Sequence, residues 1–197
     1  MNKTRSLCYI IGLLIVTLGI SLTIKSDMGV GAWDALHVGL SKLLFTVGTW
    51  VIITGTMLII INAILLKRKP DVYAFITIFI MGPAIDLWLW LLNIEPYNLM
   101  MKFVIFTIGL LVLSTGVSIY LQAKFAPAPI DNLMIAIHTR FHVKLSVAKT
   151  IGEVIALIFA LIFKGPIGIG TILVTFLVGP IIQVIYPRVE KIVGQFS

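Results

Sequence analysis

The pattern along this chain is one of long apolar runs broken by two shorter, mixed stretches. Ser6–Ile24 and Leu43–Leu66 carry no charge, and Val72–Leu92 carries one, Asp86. Phe103–Ala123 is again uncharged, Ser146–Phe163 is interrupted by Lys149 and Glu153, and Thr171–Tyr186 is closed by Pro187-Arg188. A bilayer core of about 30 Å takes roughly 20 apolar residues as helix, so these six runs predict six membrane spans. Between them lie Asp27–Lys42 and Lys124–Thr139, too polar and too short to cross. A helix of about 12 residues from Asp34 would be about 18 Å long, half a membrane.

The two short stretches are copies. Residues 12–86 slide onto 109–183 without a gap, and Gly12, Gly19, Asp34, Gly55, Gly82 and Pro83 meet Gly109, Gly116, Asp131, Gly152, Gly179 and Pro180. A repeat of this length decides the architecture. If the short helices do not cross, each half has three spans, and the odd number inverts the second half. With the N-terminus inside, eleven basic residues fall on the inner face and four on the outer, as the positive-inside rule requires. Eight spans would put the cluster Lys67, Arg68, Lys69 outside. The expectation is an all-α integral membrane protein forming one domain over residues 1–197. Its six transmembrane helices make two inverted three-helix repeats, 6–95 and 103–192, each with a short re-entrant or interfacial helix. Both termini are expected on the cytoplasmic side of a cell membrane.

Composition agrees with this. The 197 residues are 59% hydrophobic and 12% charged, with mean hydropathy +1.11, against about 25% charged in soluble domains. The net charge of +7 sits at span ends, where it orients helices, and does not imply nucleic acid. A single cysteine, Cys8, excludes an internal disulfide and a cysteine metal cluster. No zinc, phosphate-loop or nucleophile-elbow motif occurs. The reading is therefore no enzyme, no metal and no cofactor.

Candidate chemistry concentrates in the short stretches. Asp34 and Asp131 each follow a Gly- or Pro-rich bend and open a short apolar helix, the place for an N-cap on the positive end of the dipole. They read either as caps of amphipathic surface helices or as acids brought together by helices entering from opposite faces. Inverted-repeat transporters build substrate and ion sites in the latter way. His37, one turn after Asp34, shares that site or is a buried hydrogen-bonded residue. Glu153 pairs locally with Lys149 four residues before it, or relays a proton. Asp86, near the outer end of its span, reads either as an acid solvated at the interface or as a functional group, and Trp33, Trp50, Trp88 and Trp90 suit interfacial belts. Candidate substrate or ion ligands are thus Asp34, Asp131, His37 and Glu153.

A glycine-rich first helix, GVGAWDALHVGLS at Gly29–Ser41, TVGTW at Thr46–Trp50 and MGPAIDL at Met81–Leu87, in that order, resemble the YczE/YyaS/YitT group of bacterial integral membrane proteins, nearest its YczE branch. The second half departs from that pattern, with APAPIDNLMIAIH and Met134 where His37 would recur. The resemblance implies a multi-span protein of the bacterial cell membrane and supplies no catalytic residues. YczE-like proteins are linked to production of lipopeptide antibiotics. Two functions follow: a small-molecule permease handling a small polar substrate or proton, or a non-transporting regulator or scaffold that supports secondary-metabolite production. Partners beyond the lipid bilayer, including a second copy in a homo-oligomer, are left open.

Overall fold

The computed structural model describes residues 3–125 and 127–194; Ala126, in the second bend, and the residues beyond each end lie outside them. Eight helices follow one another: α1 Lys3–Lys25, α2 Ala32–Ser41, α3 Val47–Leu66, α4 Val72–Leu91, α5 Leu99–Leu121, α6 Pro129–Phe141, α7 Leu145–Ile162 and α8 Ile169–Gly194. Six of them, all but α2 and α6, are long and apolar enough to cross a membrane. At 10 and 13 residues, α2 and α6 reach only about 15 and 20 Å.

Local sequence sets several boundaries. The side chains of Thr46, Asp71 and Asn98 accept from backbone amides of Thr49, Tyr73 and Met101, capping α3, α4 and α5. Lys67 and His142 end α3 and α6 in the left-handed conformation. The last helix does not stop at Tyr186 as expected but runs through Pro187 to Gly194. A proline there removes one hydrogen bond and kinks the helix, and near an exposed end water or headgroups satisfy the freed carbonyl.

Apolar side chains line the outside: Ile64 is 71% exposed, Phe176 70% and Leu161 61%. The interior instead holds Thr17, Ser21, Thr77, Ser114 and Ser118. Helix association in lipid rests on close packing of small residues, with hydroxyls bonded back to their own helix. Accordingly, Thr17 donates to Leu14 O, Ser114 to Leu110 O and Ser118 to Ser114 O.

The antiparallel seam between α1 and α5 is close-packed along its length. A Cβ added at Gly12 would lie 2.5 Å from the Tyr120 backbone, at Gly19 2.3 Å from Leu113, at Gly116 2.5 Å from Val16 and at Gly109 3.0 Å from Thr23. No residue larger than glycine fits the first three without the helices parting.

The helices form a ring. α4 packs on α1, α1 on α5 and α5 on α8; α3 packs on α4, and α2 and α6 join α3 to α7. Only α7 and α8 barely touch, leaving one open seam. The closed counterpart, α3 against α4, is held tightly: a Cβ on Gly48 would strike Gly82 O at 2.0 Å, and one on Gly55 would meet Ile78 at 2.6 Å. Along α7 and α8 a Cβ on Gly152 would meet only Leu133 at 3.6 Å, and one on Gly179 nothing within 4 Å. Asp86 is no free interfacial acid. It locks the closed seam, accepting from Gly48 N at 2.8 Å and from the Thr46 hydroxyl at 2.6 Å.

Candidate functional site

A cavity of about 240 Å³ lies inside the ring, lined from α1, α3, α4, α5, α7 and α8 and by the first turns of α2 and α6. The loop before α2 turns at Gly29, whose φ of +97° suits glycine. Val30 N then bonds Pro166 O at 3.3 Å, and Gly170 N bonds Met28 O at 2.8 Å, fixing this loop against the one before α8. Beyond it, Gly39 and Ala35 pack against Phe163–Gly165, and Trp33, Leu36 and Leu40 join Ala156 and Ala160 in one core cluster. Trp33 is thus a core residue and not part of an interfacial belt; only Trp90 among the four is largely exposed, at 78%.

The start of α6 is fixed from α3. Asn62, 2% exposed, donates Nδ2 to Pro129 O at 2.9 Å. An amide at depth in a span needs a partner; here the partner is the first carbonyl of the short helix. Sequence reading did not single out Asn62.

Neither aspartate is an N-cap. Gly31 and Ala128 hold the cap positions, without side-chain hydrogen bonds, and Asp34 and Asp131 each come three residues later. They still lie in the first turn, where the dipole favours negative charge, but their oxygens are released from capping and line the cavity. The Tyr120 hydroxyl, missed in the sequence, donates to Asp131 Oδ2 at 3.0 Å. Its repeat position is Thr23, so the repeat carries no signal for it.

The four sequence candidates, Asp34, His37, Asp131 and Glu153, all line this one cavity. Glu153 lines the same cavity and interacts electrostatically with both aspartates. Lys149 faces Asp131 and Glu153 but makes no direct ion pair with Glu153. Among the described residues the one salt bridge is Lys102–Asp27, at 2.5 Å. The expected local Lys149–Glu153 pair is replaced by a looser cluster around the cavity.

Burial, aided by the Glu153 charge, pushes the Asp34 carboxyl up to about 7. Asp131, whose side chain is accessible, is also raised, because the surrounding protein desolvates it by more than the opposing hydrogen bond from Tyr120 and the Lys149 charge restore. Burial drives His37 down to about 4, so it is neutral. Its tautomer follows from its neighbour. Thr54 gives its one proton to Trp50 O at 2.7 Å, so His37 Nε2–H must donate to Thr54 Oγ1, also at 2.7 Å. Nδ1 is then a bare acceptor, and it has no partner. Among the described residues no group of three or more His, Cys, Asp and Glu is arranged to hold a metal ion.

Six long apolar helices with lipid-suited exteriors around a polar-studded interior define a multi-pass helical membrane protein. The chain belongs to the family of unknown function DUF6198, which it matches over residues 3–187. It is 45% identical over 186 residues to "Uncharacterized protein YyaS" of Bacillus subtilis, covering 93% of this chain and 92% of that one. To "Uncharacterized membrane protein YczE" of the same organism it is 30% identical, covering 91% and 84%. A Haemophilus influenzae relative, "Uncharacterized protein", is 25% identical over 92% and 82%. These values correct the expected branch: the chain is more similar to YyaS than to YczE. The quoted motifs are confined to a few stretches, whereas the identities integrate the whole chain. No solved structure matches.

Proposed function

We propose that this protein is a secondary transporter of small molecules, operating by alternating access of two inverted three-helix halves in the cell membrane, with both termini cytoplasmic. α2 and α6 are re-entrant helices that bring Asp34 and Asp131 to a shared site, with His37 and Glu153 as further ligands. The observation that carries this is the unequal pair of seams. Under the repeat, α3 and α4 correspond to α7 and α8, yet one pair is closed and the other open. Inverted halves in unequal conformations are how rocking transporters expose a central site to one side at a time.

The α1–α5 seam supports the same symmetry. Exchanging each partner for its repeat position turns Gly12 against Tyr120 into Gly109 against Thr23, and Gly19 against Leu113 into Gly116 against Val16. In the alternate state Gly179 packs on α7 near Leu145, the repeat positions of Gly82 and Gly48, and α3 parts from α4.

The test is a distance measurement. Spin labels at Val147 and Phe176, both exposed, in a Cys8→Ser background should report two populations across the α7–α8 seam. Their balance should move between pH 5 and pH 8 in nanodiscs. A single long distance under every condition would refute alternating access.

A further inference from the structure

We infer that the cavity is built for a small organic ammonium ion, a protonated amine carried on an apolar body. The inference deepens the proposed transport reading, since it names what the shared site takes.

The argument is a census of hydrogen-bonding groups. Nothing among the described residues donates to the Asp34 carboxylate. Asp131 receives one hydrogen bond, on Oδ2 from Tyr120, and Oδ1 is free. His37 lines the cavity, but its Nδ1 is enclosed and its N–H is spent on Thr54, so it presents no donor there. Glu153 adds a third carboxyl. Against these acceptors stand the Lys149 ammonium, the Trp33 indole N–H and the free first-turn amides of α2 and α6. Three carboxyls to one ammonium leave the cavity short of full positive charge, and carboxylates take their strongest hydrogen bonds from charged donors. An ammonium group supplies both.

Other classes fit worse. An anion would face three carboxyls with only the Lys149 charge in compensation. A neutral apolar solute would leave the acceptors bare. A metal ion finds no cluster of three ligands. The remaining walls, Val16, Ile20, Val51, Ile85, Leu113 and Val117, are hydrocarbon and suit the body of the molecule. Most small-molecule sites have this make-up, apolar walls with a few placed polar groups.

The experiment uses three isosteric probes on the full-length protein in nanodiscs at pH 7.5, with isothermal titration calorimetry as readout: benzylammonium, benzyl alcohol and benzoate. Benzylammonium should bind at least tenfold more tightly than benzyl alcohol, about 1.4 kcal/mol, and benzoate should bind least. Asp131→Asn and Asp34→Asn should weaken benzylammonium and leave benzyl alcohol unchanged, which also reports that the cavity is intact. Equal binding of amine and alcohol, tighter binding of benzoate, or no amine binding at millimolar concentration would each overturn the assignment. Two distance populations across α7–α8 without amine binding sink the amine class and leave transport standing. Amine binding with one fixed distance does the reverse.

Discussion

Asp34 and His37 sit one helical turn apart, and burial moves them in opposite directions. The Asp34 carboxyl, ordinarily near 3.8, is raised to about 7. The folded state therefore holds a proton that the unfolded state has lost, and stability falls as pH rises from about 4 to about 7. His37, lowered to about 4 from 6.5, has the opposite sign: the unfolded state binds the extra proton, and stability falls as pH drops through that window. Asp34 is faced by Glu153 on α7, with Asp131 of α6 and Lys149 of α7 farther along the same cavity. Removing its charge isolates its share. Asp34→Asn should raise the melting temperature above wild type at pH 8, by the equivalent of roughly 1–2 kcal/mol once screening by cavity water is allowed for. The difference should be smaller at pH 5 and close below about pH 4, where Asp34 is protonated in both states. A thermal-melt series across pH measures it, and a constant offset would show that Asp34 does not titrate.

At the scale of elements, three contacts make separable predictions. Gly19→Val drives a side chain into the Leu113 backbone and should cost about 3 kcal/mol or more, read as loss of monodisperse protein after detergent extraction. Asn62→Leu releases the first turn of α6 and leaves Pro129 O unpaired, a loss of about 1–3 kcal/mol. Because that turn carries Asp131, amine affinity should fall with it. Asp86→Asn weakens the lock on α3, costing about 1 kcal/mol, and in the proposed cycle favours the state with α3 and α4 apart. Ile52→Cys in a Cys8→Ser background, a smaller side chain facing Gly82 across the seam, would read this as faster labelling by a maleimide when Asp86→Asn is added. These roles were only partly legible. Thr46, Asp71 and Asn98 announce their helices by residue type. Asp34 and Asp131 suggested caps by the same rule, yet Gly31 and Ala128 occupy those positions. Gly31 at the cap of α2 and Pro129 at the first helical position of α6 are the residues that mark where the two helices start.

For the whole molecule, the six spans could be read because 20-residue apolar runs ending in Lys and Arg have no soluble alternative. The chain length of α2 and α6 could be read because they fall at corresponding places in a repeated pattern. What could not be read is which pairs of helices touch, since both faces of each span are largely apolar and the glycines, serines and threonines that mark the packed faces do not name their partners. Asn62 and Tyr120 were invisible for a related reason: their partners, Pro129 and Asp131, lie across a turn of the fold. The unequal seams were also beyond the sequence, because Gly82 and Gly179 occupy matching positions and differ only in what surrounds them. A transporter of the proposed kind should carry its substrate in exchange for protons. Proteoliposomes with an acid interior should take up benzylammonium faster than protein-free vesicles, which the free amine enters by diffusion, when they contain wild-type protein, and no faster when they contain Asp34→Asn; equal rates for the two proteins would remove Asp34 from the coupling.

The α1–α5 seam has one more consequence. Its glycine contacts map onto themselves when the halves are exchanged, so both conformations of the proposed cycle can use the same contacts. It can then serve as an axle: a bearing about which the outer helices turn without being rebuilt at each stroke. Damage to an axle differs from damage to a gate. Substitutions such as Gly12→Ala should lower the amount of assembled protein while leaving the turnover of each surviving molecule unchanged.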